Sequence, residues 1–202
     1  MTLPEALLVE ARQAGVPRPE VERSLGWAGD LAEHSPGAWE HSLRVGLYAL
    51  GLAVASGASP EERSLATRGG VLHDIGKLEI DPAVLHAQPF EPGHFAIVKR
   101  HALYGFLRLR RLDPPVASVA GLHHSFQAEP YYGTDPSSAS GDVLWAAQVV
   151  AVCDFFDALL TRRDDRYPEA ARSPATAREI LRHNYPGHTD WADWLADRAP
   201  AS

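Results

Sequence analysis

Apolar residues recur at helical spacing through almost the whole chain, and proline and glycine divide this pattern into short segments. No stretch alternates apolar and polar residues for long enough to form a sheet. Residues 142–160 are apolar on every side, which indicates a helix at the centre of the protein. Three signals agree on the start of one helix. Ser59 is a typical N-cap, Pro60 takes the first helical position, and Glu62 completes a capping box. The sequence therefore predicts an all-α fold.

The length of 202 residues suits one compact domain. We predict helices over residues 3–14, 20–33, 39–55, 60–74, 94–112, 115–124, 142–160, 175–183 and 189–198, with a short helical turn over 82–86. Residues 1–37 are expected to pack on a core of residues 38–167, and residues 168–202 form a helical tail. The first helix carries an apolar face of Leu3, Leu7 and Leu8 that is either core or a dimer surface.

Charge and composition exclude some classes of protein. A net charge of −7 argues against a non-specific nucleic-acid binder, which needs a basic face. The single cysteine, Cys153, excludes an internal disulfide and fits a reducing compartment. The N-terminus lacks a signal-peptide pattern, and the apolar run of residues 143–153 is interrupted by Gln148 and is too short to span a bilayer. We expect a cytoplasmic protein with no membrane partner, in which Cys153 is a core residue.

Residues 71–77 place an imidazole and a carboxylate side by side where a predicted helix ends. Successive side chains on a helix point about 100° apart, so His73 can bind one metal ion while Asp74 bridges two. Paired divalent ions of this kind are a recurrent device for hydrolysing phosphate esters. Lys77 follows after Gly76 and would supply a positive charge for the phosphate. A His-Asp pair also occurs by chance in turns, so its meaning depends on the other ligands.

Further potential ligands lie in segments whose apolar pattern turns them inward. They are His41, His101, His123, His124 and Asp154. Asp154 stands among Val150, Val152 and Phe155, where a carboxylate is costly to bury unless it is paired or binds a metal. Imidazole and carboxylate together suit Mn, Fe, Zn or similar ions.

The order His41, then His73-Asp74, then a distant Asp154 resembles the HD superfamily of metal-dependent phosphohydrolases, over residues 38–167. Within it, the chain resembles the HD-GYP subgroup, which hydrolyses the bacterial messenger cyclic di-GMP, because it adds His101 and the His123-His124 pair. The chain departs from the subgroup in two places, after the His123-His124 pair and before His41. Ser125 replaces the usual Glu, and no Gly-Tyr-Pro segment follows it. Gly37 stands where members with a third metal carry Glu, which favours a two-metal site.

The resemblance implies an HD-domain helical bundle that hydrolyses a phosphodiester with a hydroxide bridging two divalent ions. Fe or Mn is expected first, and Zn, Ni, Co or Mg are the other candidates. The expected ligands of one ion are His41, His73 and Asp154, and those of the other ion are His101, His123 and His124. Asp74 is expected to bridge the two ions, and Lys77 to contact the phosphate. Cyclic di-GMP or its linear dinucleotide is the lead substrate.

Two functional alternatives stay open, which are hydrolysis of another nucleotide or phosphate monoester, and a binding module without turnover. Arg44, Asp157 and Arg166 are weaker predictions for substrate contacts. Arg44 could equally form a surface ion pair, and Asp157 could orient a ligand histidine or be a solvated helix residue. A homodimer or a regulatory protein partner would be compatible with this sequence.

Overall fold

The structure is a computed structural model, and it describes residues 1–126, 132–161 and 173–199. All regular secondary structure in these ranges is helical, so the predicted all-α fold is confirmed. The α-helices of the described residues are α1 (Leu3–Gln13), α2 (Arg18–Ala28), α3 (Leu31–His34), α4 (Pro36–Ala55), α5 (Pro60–Leu72), α6 (Pro82–Leu85), α7 (Pro92–Val98), α8 (His101–Leu109), α9 (Pro114–Leu122), α10 (Gly141–Thr161), α11 (Pro174–Asn184) and α12 (Thr189–Arg198). Short 3₁₀ segments lie at Ile75–Glu79, Pro136–Ser138 and Pro186–His188.

Helix α10 lies at the centre of the bundle. It packs against α4, α5, α9, α11 and α12, and the successive residues Val150, Ala151 and Val152, which point about 100° apart, are all buried. The helix is long and apolar enough to cross a bilayer, but 72% of its most apolar window is buried inside the protein. Its composition is therefore explained by its place in the core.

Two glycines let α4 and α5 approach each other closely. A Cβ added to Gly70 would lie 2.8 Å from the Cα of Gly46, so any larger residue would force the two helices apart. Helix α4 carries His41, and His73 directly follows α5. The glycine contact therefore holds two potential metal ligands at a short distance.

A third glycine joins the 3₁₀ segment after α5 to the start of α8. A Cβ on Gly76 would overlap the carbonyl oxygen of His101 and the amide nitrogen of Gly105. Because neither backbone atom can rotate away, only glycine fits between these elements. The contact brings Asp74, two residues before Gly76, beside His101.

Two predicted helices are each divided in two. The helix expected over residues 20–33 is interrupted after α2 at Gly29, a residue that favours helix poorly. The helix expected over residues 94–112 is interrupted at Lys99 and Arg100, so His101 begins α8 and does not lie mid-helix. The His101 imidazole donates to the Val98 carbonyl at 2.7 Å, which is a carbonyl that a continuous helix would pair with a backbone amide.

The terminal helices pack on this core. Helix α1 contacts α4, α2 contacts α5, and α11 and α12 contact α10. Leu7 is fully buried, and Leu3 and Leu8 pack against the core, so the apolar face of α1 is a core face. The predicted capping box is confirmed, because the Glu62 amide donates to Ser59 Oγ at 3.2 Å and the Ser59 amide donates to Glu62 Oε2 at 2.7 Å. Helix α4 begins at Pro36, so the expected boundary between residues 37 and 38 falls in its first turn.

Candidate metal centre

The seven histidines and aspartates predicted as ligands meet in one buried cluster. Helix α4 supplies one, the ends of α5 and α9 supply four, the start of α8 supplies one and α10 supplies one. All are at most 9% exposed, and they are His41, His73, Asp74, His101, His123, His124 and Asp154. Residues up to 113 positions apart in the chain are thus brought within hydrogen-bonding distance.

Three of these histidines are oriented by the backbone in the same way. Each Nδ1 donates its proton to the carbonyl three residues earlier, where a helix ends or is interrupted and its last carbonyls lack an amide partner. The pairs are His73 with Gly70 at 2.8 Å, His101 with Val98 at 2.7 Å and His123 with Ala120 at 2.7 Å. Because Nδ1 carries the proton, Nε2 of each ring presents a lone pair to the centre of the cluster.

The lone pairs fit a bound cation. Nε2 of His101 and Nε2 of His123 lie 3.2 Å apart, and two acceptors at this distance repel each other unless a positive charge lies between them. Burial lowers the pKa of His101 to about 4 and that of His123 well below its usual value, so a proton is not available to bridge them near neutral pH. In addition, His73 Nε2 and His124 Nδ1 are buried without a hydrogen-bond partner among the described residues. Divalent ions bound in the cluster would satisfy these four atoms.

Asp74 lies between two groups of histidines. Its Oδ1 is 3.3 Å from His101 Nε2, and its Oδ2 is 3.5 Å from His73 Nε2 and 3.9 Å from His41 Nε2. The Lys77 ammonium forms an ion pair with the same carboxylate. Burial alone would raise the pKa of Asp74, but Lys77 and the histidines together outweigh it and hold this pKa well below its usual value. Asp74 is therefore ionised and faces both groups.

Asp154 completes the cluster from α10. Its Oδ1 lies 2.9 Å from His41 Nε2 and 3.8 Å from His73 Nε2, and its Oδ2 lies 3.9 Å from His124 Nδ1. Three overlapping groups of described residues have ligand atoms close enough to hold a metal ion: His41 with His73 and Asp74, His101 with His123 and His124, and His73 with His123 and Asp154. The protein can thus hold metal, and the first two groups share no residue. The exact division of ligands stays a prediction.

Arg44 and Asp157 form a buried pair behind His41. Arg44 Nε donates to Asp157 Oδ1 at 2.8 Å and Arg44 Nη2 donates to Oδ2 at 3.0 Å. Asp157 also accepts the Nδ1 proton of His41 at 2.7 Å, and its side chain is 1% exposed. Asp157 is therefore not a solvated residue, whereas Arg44, whose side chain is 26% exposed, combines this inward pair with an ion pair to the exposed Glu40 at 3.8 Å.

A cavity of about 410 Å³ opens beside His41 and is lined by Arg44, Lys77 and His86 among others. His86 is an exposed residue directly after α6, and no pattern near it in the chain indicates that α6 ends at the wall of this cavity. The Tyr132 ring packs on the His124 ring of the cluster with centroids 4.3 Å apart. Arg166, predicted as a substrate contact, lies outside the described residues.

The profile of the HD domain family matches residues 38–159. The chain belongs to the HD domain family. A 3'3'-cGAMP-specific phosphodiesterase 2 of Vibrio cholerae is 30% identical over 169 residues, which are 80% of this chain and 31% of that protein. A cyclic di-GMP phosphodiesterase of Thermotoga maritima is 31% identical over 155 residues, which are 74% of this chain and 40% of that protein. This HD chain thus spans about a third of the length of the curated relatives, whose names agree with the predicted HD-GYP resemblance.

The HD domain of the Listeria monocytogenes phosphodiesterase PgpH has a similar fold. Its crystal structure superimposes with a TM-score of 0.61 at 17% identity, over 85% of this chain and 93% of that chain. The predicted HD-domain helical bundle is therefore confirmed.

Proposed function

We propose that this HD domain hydrolyses the phosphodiester bond of a cyclic dinucleotide with two bound divalent metal ions. The observation that carries the proposal is the double cluster, in which two separate groups of ligands stand on either side of Asp74. Burying seven polar groups is costly unless they are compensated. Metal ions bound at both groups of ligands would compensate the cost of burying these side chains.

Two divalent ions held in the cluster would lower the pKa of a water molecule and neutralise charge on the phosphoryl oxygens. The residues assigned to one ion are His41, His73 and Asp154, and those assigned to the other are His101, His123 and His124. Asp74 spans the two groups with its two oxygens. Fe or Mn is the first candidate metal, and Zn, Ni, Co and Mg are alternatives.

Lys77 is assigned to the phosphate of the substrate. Its side chain is only 12% exposed, it forms an ion pair with Asp74, and it lines the cavity beside His41. A cation in this position is close to both groups of ligands and can attract an anionic substrate into the cavity.

The names of the relatives support a cyclic dinucleotide as the class of substrate. Those of Vibrio cholerae and Thermotoga maritima are named for cGAMP and cyclic di-GMP, and one structure of the Listeria domain is a complex with cyclic di-AMP. All three are cyclic dinucleotides. Cyclic di-GMP, or its linear dinucleotide, is the lead substrate for this chain.

Turnover of cyclic di-GMP, cGAMP and cyclic di-AMP tests the proposal. The protein is loaded anaerobically with Fe or Mn, its metal content is measured, and the products are resolved by chromatography. We expect a linear dinucleotide or mononucleotides from the wild type. Asp74→Ala should abolish both metal retention and turnover, whereas Asp142→Ala, which removes an exposed acid at the start of α10, should change neither. Full turnover by Asp74→Ala would refute the assignment.

One observation favours a second candidate function. The segment after His124 contains Ser125 in place of Glu and no Gly-Tyr-Pro, which favours hydrolysis of another nucleotide or a phosphate monoester. A protein that holds two metal ions but cleaves no cyclic dinucleotide would support this candidate. A protein that holds no metal and cleaves nothing would instead be a binding module.

A further inference from the structure

One ligand histidine, His41, is held in place by different means from His73, His101 and His123. In the group of His101, His123 and His124, the first two rings are held by backbone carbonyls of the helices that end there. His41, in the other group, has no such carbonyl partner, and its Nδ1 donates to the Asp157 carboxylate at 2.7 Å. The orientation of His41 therefore depends on a side chain of another helix.

Asp157 is itself held at two oxygens. Arg44 donates to Oδ1 at 2.8 Å and to Oδ2 at 3.0 Å, in the bidentate arrangement that orients a carboxylate most firmly. The Thr161 hydroxyl lies 3.3 Å from Oδ2 and donates to the Asp157 carbonyl at 2.7 Å. Because the pair is largely buried, loss of Arg44 would leave an uncompensated carboxylate behind His41.

Arg44 and His41 lie one turn apart on α4, and Asp157 reaches both from α10. The three residues thus form a triangle between two helices, in which Asp157 contacts both other side chains and α4 itself joins Arg44 to His41. Two of the guanidinium nitrogens of Arg44 are used by Asp157, and Nη1 lies 3.8 Å from Glu40. This geometry favours a role of Arg44 in positioning His41 over the substrate contact predicted from the sequence.

We propose that Arg44 is a positioning residue that acts through Asp157 on His41 and selectively controls the occupancy of one of the two metal positions. Weakening the triangle loosens the ion at His41 and leaves the ion at His101, His123 and His124 in place. The inference rests on the proposed two-metal function. Loss of partners that orient a metal-binding histidine typically weakens metal affinity about 10- to 100-fold.

Metal stoichiometry of the full chain tests this inference without reference to turnover. Wild type, Arg44→Met and Asp157→Ala are titrated with Co²⁺, and the bound metal is followed by the visible absorption of Co²⁺ and by elemental analysis. We expect two equivalents for the wild type. Both variants should keep one tight equivalent and bind the second about 10- to 100-fold more weakly. Arg182→Met, which removes an arginine paired with Asp193 at the surface, should bind as the wild type does.

The double variant separates positioning from a direct effect. If Arg44 acts only through Asp157, Arg44→Met combined with Asp157→Ala binds the second ion as weakly as Asp157→Ala alone, because the two changes interrupt one path. Circular dichroism confirms folding, and Arg44→Lys, which keeps the charge but loses the bidentate contact, replaces Arg44→Met if that variant unfolds. An Arg44 variant that binds both ions normally, or that weakens both equally, would overturn the inference. A wild type without metal would instead refute the proposed function.

Discussion

Replacing Gly76 by alanine should disable the metal centre before it unfolds the protein. The added Cβ would overlap the carbonyl oxygen of His101 and the Gly105 amide, and the His101 carbonyl carbon would lie 2.9 Å away. These are backbone atoms, so no change of rotamer relieves the overlap. The 3₁₀ segment and the start of α8 must move apart instead.

The loss of folding free energy can be estimated because the overlapping atoms belong to the backbone. Overpacking that requires a backbone shift costs about 3 kcal/mol at the upper end of the usual range. For a chain of this size, that loss lowers the melting temperature by about 6–12 °C. Metal–ligand distances tolerate only about 0.2 Å, and the displaced elements carry Asp74 and His101. We therefore expect a folded variant that retains less than two equivalents of metal.

The assay combines urea denaturation with elemental analysis of the folded protein. Gly26→Ala is the matched control, because Gly26 is an exposed residue inside α2 whose added Cβ would meet no atom within 4 Å. This variant should gain up to about 1 kcal/mol from helix propensity and keep its metal. If Gly76→Ala were as stable as the wild type and held both ions, the tight contact would have no role in the site.

Two further predictions concern the charges of the cluster. Lys77→Met should keep the bound metal and lower kcat about 100-fold or more in steady-state kinetics, because it removes the cation that we assign to the phosphate; an unchanged kcat would exclude this role. Burial lowers the pKa of His101 to about 4 and of His124 to about 3, against 6.5 in an unfolded chain, so the unfolded state binds more protons in this interval. The free energy of unfolding of chelator-treated protein should therefore fall as the pH drops from about 6.5 to about 4. Each of the two histidines contributes a loss of up to about 1.4 kcal/mol per pH unit. Equal denaturation midpoints at pH 7 and pH 5 would contradict this.

Structural features that depend only on residues close together in the chain can be predicted from the sequence. The capping box at Ser59 and Glu62 involves neighbours in the chain, and α10 is recognisable because a helix without a polar side must be buried. The potential ligands were found through the order of His41, His73-Asp74 and Asp154, which is a family pattern and not a consequence of local propensity. The interruption at Lys99 was missed because no proline or glycine marks it and the partner of the Val98 carbonyl is a side chain.

The sequence by itself determined the helical class and the apolar central helix, because helical periodicity depends on residue type and spacing. It also indicated the set of buried histidines and aspartates, through the resemblance of their order to a known family. Only the tertiary structure decided which oxygen of Asp74 faces which histidine, and that Arg44 holds Asp157 across 113 positions of the chain. Such contacts depend on how closely α4, α5, α8 and α10 approach each other. That approach is set by glycines and side-chain shapes on different helices acting together, which no single stretch of sequence contains.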